Sequence, residues 1–269
     1  MKISVIISHY KALDNLKLIL EGLQNQSDMR FEAIISEDDS NPETVDFIQN
    51  HSTDYAFSIV HVNQKEDLGF RKTMMLNKSI RVSSTKFLVF IDGDCIPAKH
   101  FVQEYIRNAA DGFIFWGRRV MLGKKYTQRI KEKKSTKGIN LLSLLLSDST
   151  KVKEAIYSPA IKLAYKTRGL VGCNWGIMKK HLVDINGYDE DYILPVAGED
   201  NDIEWRLEAN GIVKQSIKNK AIVYHMYHPR SYSNEGIQIN TKILLDKMEK
   251  GIVRCLNGLE KLNQPSTND

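Results

Sequence analysis

The sequence holds no run of residues long and apolar enough to span a bilayer, so no transmembrane helix is expected. Its opening, Met1-Lys2-Ile3-Ser4-Val5-Ile6-Ile7-Ser8, has too short an apolar run for a signal peptide and no small-residue cleavage site. The expected location is the cytoplasm, with the inner face of the membrane as a variant of it. Cysteine is scarce: Cys95, Cys173 and Cys255 stand far apart, without metal-ligand spacing, and fit free thiols in a reducing compartment. No G-x-G-x-x-G follows the first apolar run, and no G-x-x-x-x-G-K-[ST] occurs anywhere. A dinucleotide-binding Rossmann site or a P-loop is therefore not expected. Internal repeats and low-complexity tracts are also lacking.

What is present suits a soluble α/β chain. A length of 269 residues, 42% hydrophobic, can bury one large core or two small ones. The net charge of +5 favours anionic, phosphate-bearing partners without pointing to nucleic acid.

The organising stretch is Phe87-Leu88-Val89-Phe90-Ile91-Asp92-Gly93-Asp94. Five apolar residues read as a strand buried on both faces, inside a parallel sheet. Two carboxylates then follow at its carboxyl end, where open α/β sheets bind ligands. Gly93 between them would let the backbone turn and a ligand approach. Hard oxygen ligands suit Mg²⁺ or Mn²⁺ bridging to phosphate oxygens. An Asp-Gly-Asp of this kind is also a common solvated turn.

Before it, strands are expected at 3–7, 31–36 and 55–62, and helices at 14–26, from Asn41-Pro42, and at 69–83. This alternation predicts a doubly wound, mixed but mostly parallel sheet flanked by helices. Polar clusters at 8–10, 37–40 and 92–94 would meet at one sheet edge if their strands are neighbours. Beyond it, a helix at 100–110 and a strand at 112–116 are expected. From Arg118 to Lys137 the chain is crowded with Lys and Arg around one acid, Glu132, and a leucine run at 141–146 follows. That pairing reads either as a membrane-surface segment or as a solvated face followed by a core helix; the second is preferred. Short strands at 212–217 and 221–224, a helix at 237–257 and a disordered tail complete the chain.

Taken together, VIISHY, ISEDDS, QKEDLGFRKTMMLNKSI, FIDGDCIP, GCNWGIMKKHLVDINGYDEDY and AGEDNDIEWRL resemble family-2-type glycosyltransferases with the GT-A fold. The second half resembles the galactosyltransferase C-terminal region. The likeness covers nearly all of the chain except about 118–165. It implies a donor-binding half at 1–116, an acceptor-binding and catalytic half at 117–240 with a basic insert near 118–165, and a terminal helix and tail at 241–269.

The resemblance also implies roles. Asp94 and Asp92 would hold Mn²⁺ (or Mg²⁺), with His225 or His228 as a further ligand and His225 preferred. Ser8, His9, Tyr10, Asp38, Asp67, Arg71, Asp92 and Gly93 would bind the nucleotide sugar; Lys72 is the weaker partner of Arg71 for the diphosphate. Asp38 would read the base and Tyr10 would stack on it or simply pack. Asp200 would be the general base, with Glu199 on a sugar hydroxyl; otherwise these acids merely complement a helix dipole. Trp175 and Asn174 are candidates for acceptor or sugar contact, Trp175 being equally readable as core. Asp39 departs from the family's glycine, and Leu194-Pro195-Val196-Ala197 departs from its Trp- and Gly-rich segment.

The expected activity is metal-dependent, inverting transfer of a sugar from a nucleotide donor, UDP-linked, to a glycan or lipid-linked glycan in surface polysaccharide assembly. The basic insert could touch a membrane, and nucleic acid is not an expected partner. A haloacid-type phosphatase, or a sugar-nucleotide-binding module without turnover, are the alternatives.

Overall fold

The computed structural model describes residues 1–160, 169–170, 172–196, 198–229 and 234–262. The expected disorder at 263–269, and parts of the expected segments at Val171, Ala197 and Arg230, lie outside these.

The first half alternates β1 (Ile3–His9), α1 (Leu13–Gln24), β2 (Phe31–Glu37), α2 (Pro42–His51), β3 (Ser58–Val62), α3 (Lys72–Val82) and β4 (Phe87–Asp92). There follow β5 (Cys95–Pro97), α4 (Phe101–Asn108), β6 (Phe113–Trp116), β7 (Arg118–Met121), α5 (Lys124–Glu132) and α6 (Leu141–Leu145). The rest is β8 (Trp175–Met178), α7 (Lys179–Asp184), α8 (Glu199–Ala209), β9 (Val213–Ser216), β10 (Ile222–His225) and α9 (Asn234–Glu249).

Seven strands form one sheet in the order β3-β2-β1-β4-β8-β6-β9, and β5-β10-β7 form a second. The first four strands are parallel; β8 runs antiparallel to both β4 and β6. Strands from both halves of the chain therefore share one sheet. Side chains alternate across it as the pleat requires. Val5, Ile7, Val89 and Ile91 pack with Leu16, Ile19 and Leu20 of α1 on one face. Ile6, Leu88 and Phe90 pack with Leu76 and Ile80 of α3 and Ile203 and Leu207 of α8 on the other.

Local chemistry sets most boundaries. Asn41 caps α2, its side chain accepting from the amides of Glu43 and Thr44, with Pro42 at the first helical position. The helix expected from Asp14 begins one residue earlier, so Asp14 lies inside the first turn of α1 and Ala12 takes the capping position. Asn186 and Gly187 both have positive φ, 66° and 74°, and so turn the chain sharply after α7. The terminal helix stops at Glu249 rather than 257: Gly251 at φ 63° lets Ile252 N–H reach Lys247 O and its own N–H reach Met248 O.

Arg206 fixes α8, the helix that carries Glu199 and Asp200. It is fully buried, pairs with Asp202, and donates to the carbonyls of Ile185 and Gly187 at 2.9 and 2.8 Å. Arg206→Met leaves Asp202 buried and unpaired, so thermal or denaturant unfolding should show a loss of about 3–5 kcal/mol. A loss within experimental error would contradict this role.

Two expectations for the insert are corrected. Its basic stretch begins as a strand, β7, because Arg118–Met121 pair with β10. Of the leucine run only Leu144 enters the core, while Leu141, Leu142, Leu145 and Leu146 are exposed.

Candidate active site

The carboxyl ends of β2, β1 and β4 lie side by side: Ser8 stands opposite both Ser36 and Asp92, and His9 opposite Glu37. The three polar clusters thus meet at one edge. A surface hollow lined by Met1, Phe31 and Phe57 sits at the other, amino-terminal end of these strands.

Asp38 leaves β2 with its amide bonded to the His9 carbonyl at 2.8 Å. Its buried carboxylate accepts from Gln64 Nε2 at 2.9 Å and from the Arg71 amide at 2.9 and 3.0 Å. Burial pushes its pKa up to about 6 despite those bonds. Asp38 therefore shapes the 64–71 loop. Asp39 has no positive φ among the described residues, so the turn never needs the family's glycine.

At the rim, Tyr10 is half exposed with the Lys11 ammonium 4.7 Å from its ring centre. Lys11 also pairs with Asp67 at 2.7 Å, and Asp67 accepts from the Gly69 amide. The Arg71 side chain donates to the Phe70 carbonyl.

Lys72 rather than Arg71 occupies the centre. Its Nζ lies 3.2 Å from Asp92 and 3.3 Å from Glu199, joining the end of β4 to the start of α8. Burial opposes its charge, yet Asp92, Glu199 and Asp200 together hold its pKa well above the usual lysine value. One ammonium cannot balance three carboxylates in a half-buried site. Burial accordingly pushes Glu199 up to about 7 and Asp200 upward, with Lys72 opposing both. Asp200 Oδ2 accepts from the Gly172 amide at 2.9 Å, and a methyl group on Gly172 would collide with the same carboxylate. Lys72→Met should weaken nucleotide-sugar affinity by about 1.5–3 kcal/mol, roughly tenfold to hundredfold, if this ammonium meets the diphosphate. Calorimetric titration reads it directly; unchanged affinity would place the phosphates elsewhere.

Asp94 lies 3.2 Å from His225 Nε2 and 3.0 Å from His228 Nε2 through the same oxygen. Both histidines thus reach it, where sequence alone preferred His225. Asp94, Cys95 and His225 also present ligand atoms within 4.8 Å of one another. A carboxylate with two imidazoles is a donor set that suits Mn²⁺ better than Mg²⁺. Asp92 faces Lys72 rather than these histidines.

Several expected contacts are redirected by burial. His9 is buried; Nε2 lies 3.3 Å from Thr44 Oγ1, and desolvation lowers its pKa to about 4, so its side chain serves the interior. Gly93 is needed because a methyl group there would strike the Ser8 carbonyl. Trp175 is fully buried and stacks on Phe90 at 4.5 Å, so it is no sugar platform. Asn174 is also buried, with its amide spent on Tyr105 and on the Arg118 and Ala221 carbonyls. Arg119 was hidden in the basic run. It lies 3.4 Å from Cys173 Sγ and its charge reaches Asp200.

The mostly parallel sheet, with acids clustered at its edge and extended by an antiparallel strand and a second small sheet, has the GT-A type of fold seen in solved glycosyltransferases. Residues 4–185 match glycosyl transferase family 2, and the chain belongs to that family. Residues 152–229 match the N-terminal domain of galactosyltransferase. The chain is 23% identical to an uncharacterized glycosyltransferase of Bacillus subtilis (strain 168), YfnE, over 92% of its own length and 70% of that protein. The structure of S. aureus TarS 1–349 with UDP-GlcNAc superposes with a TM-score of 0.61 at 15% identity, covering 97% of this chain and 68% of that one. The chain spans only 41% of the longer TarS chain. The mannosyltransferase PcManGT from Pyrobaculum calidifontis, with GDP-Man and Mn²⁺, superposes at 0.58 with 15% identity over 94% of this chain and 64% of that one.

Proposed function

We propose that the chain is a metal-dependent, inverting glycosyltransferase. It moves a sugar from a nucleotide donor, UDP-linked, to a glycan or lipid-linked glycan in surface polysaccharide assembly at the cytoplasmic side. The observation that carries the reading is the Asp92–Lys72–Glu199 bridge, with Asp200 one residue further on. It joins the acids of the first half to those of the second in one cluster. We assign residues 1–116 to donor binding, 117–240 to acceptor binding and catalysis, and 241–269 to a closing helix and tail.

In this reading Asp94, His225 and His228 would hold Mn²⁺ or Mg²⁺, and Asp92, which faces Lys72, would border the ion from that side. When bound, that ion supplies positive charge for the diphosphate leaving group. Lys72 adds a second positive charge from the protein itself. Asp38 and the loop it fixes, with Ser8 and Tyr10, receive the nucleoside, while Arg71 and Asp67 border the phosphates and ribose. Asp200 takes the proton from the acceptor hydroxyl as that oxygen attacks the anomeric carbon, and Glu199 orients a sugar hydroxyl. Family membership favours this over a phosphatase. Turnover, rather than binding alone, is supported by the intact acids at 92, 94, 199 and 200.

A thermal-shift panel of UDP- and GDP-linked sugars, with and without Mn²⁺, tests the donor reading. A metal-dependent rise with one UDP-sugar is expected. A rise with GDP-sugars alone would replace the base assignment, and none with any donor would remove the reading.

A further inference from the structure

The segment after β7 carries a surface on which no donor-binding, metal-holding or proton-accepting residue has been placed. Residues 124–156 hold nine Lys or Arg and three acids, a net charge of +6, against +5 for the whole chain. All three acids are engaged. Glu132 takes Gln128, Asp148 caps α5 through the amides of Lys125 and Tyr126, and Glu154 pairs with Lys218. Lys133, Lys134 and Lys137 are exposed.

Next along the chain is α6, a short helix that is firmly built. Asn140 and Ser143 cap it reciprocally, the Tyr126 hydroxyl meets Ser143 Oγ at 2.8 Å, and Leu144 is anchored in the core. That anchor turns the opposite side outward. Leu142, Leu145 and Leu146 are 67%, 64% and 81% exposed. Their spacing of three and four residues places them on one helical face. The Ser143 hydroxyl also donates to the Gly138 carbonyl, which holds Lys137 within a turn of the helix start. Aliphatic side chains projecting from a capped end, with Lys137 close to that end, offer little to a cationic or polar partner.

We propose that this face docks on an anionic lipid bilayer. The leucines enter the headgroup–acyl boundary while the lysines meet lipid phosphates. The surface grows directly from the site: the Leu122 amide bonds the His225 carbonyl, and the Tyr227 amide bonds Thr127 of α5. Docking there would hold the transfer cleft close to a membrane. The inference stands without any choice of donor or acceptor.

Co-sedimentation with vesicles of phosphatidylcholine, with and without phosphatidylglycerol, tests it and needs no sugar donor. Binding is expected only with phosphatidylglycerol, and it should fall as salt rises. A combined Leu142→Ser, Leu145→Ser, Leu146→Ser variant should melt normally and lose about tenfold or more in vesicle affinity. Lys133→Gln, Lys134→Gln, Lys137→Gln should weaken binding and flatten its salt dependence. No binding to the anionic vesicles, or equal binding by the leucine variant, would overturn the proposal. So would ultracentrifugation showing a dimer that only the leucine variant dissolves, because the face would then belong to a second copy.

Discussion

Asp200→Asn is expected to reduce transfer by roughly 10³-fold, within the range that a lost general base costs, while donor affinity stays within about twofold. The amide keeps the size of the side chain and can still accept from the Gly172 amide, 2.9 Å away in the parent. It cannot accept the acceptor's proton. The accompanying pH profile has a defined sign. The base works ionised, and burial, with the neighbouring Asp92, raises its pKa against the pull of Lys72. The rate should therefore fall as pH drops, with the descent above the ordinary carboxylate range. Glu199, which burial pushes up to about 7, also takes up a proton as pH falls through neutrality. Stopped donor turnover with retained calorimetric affinity supports the assignment. Retained turnover would move the base elsewhere.

Asp94→Ala should produce the complementary defect. This carboxylate is the point where His225 and His228 meet. Its loss should cost more in Mn²⁺ affinity than the roughly 10–100-fold seen when a group that only orients a ligand is removed. Donor binding in the variant should no longer respond to Mn²⁺ or to chelator. A metal response equal to that of the parent would displace the ion from Asp94.

Much of this was legible in the sequence because burial on two faces leaves a clear signature. The run Phe87–Ile91 reads as a strand buried on both faces, and β4 is indeed central, with the acids after it at the sheet edge. Asn41-Pro42 and Asn186-Gly187 wrote their turns in residue type. Less legible were features set by distant partners. Lys72 looked like the lesser neighbour of Arg71 until Asp92 and Glu199 converged on it. Trp175 and Asn174 looked available because a sequence does not show that Phe90 and Tyr105 cover them. β7 was hidden because its two arginines read as part of a basic run, although their strand pairs with β10. The leucines after Asn140 looked like core because aliphatic runs usually are; only a cap and one anchored residue reveal which side faces out.

The account depends on the two halves of the chain facing one reacting carbon. A crystal structure of the Asp200→Asn protein with Mn²⁺ and an intact nucleotide sugar tests that directly. The metal should rest on Asp94 and the histidines, the diphosphate beside Lys72, and the anomeric carbon should face residue 200 across room for one hydroxyl. A sugar whose anomeric carbon points away from residue 200, with another base before it, would contradict the account.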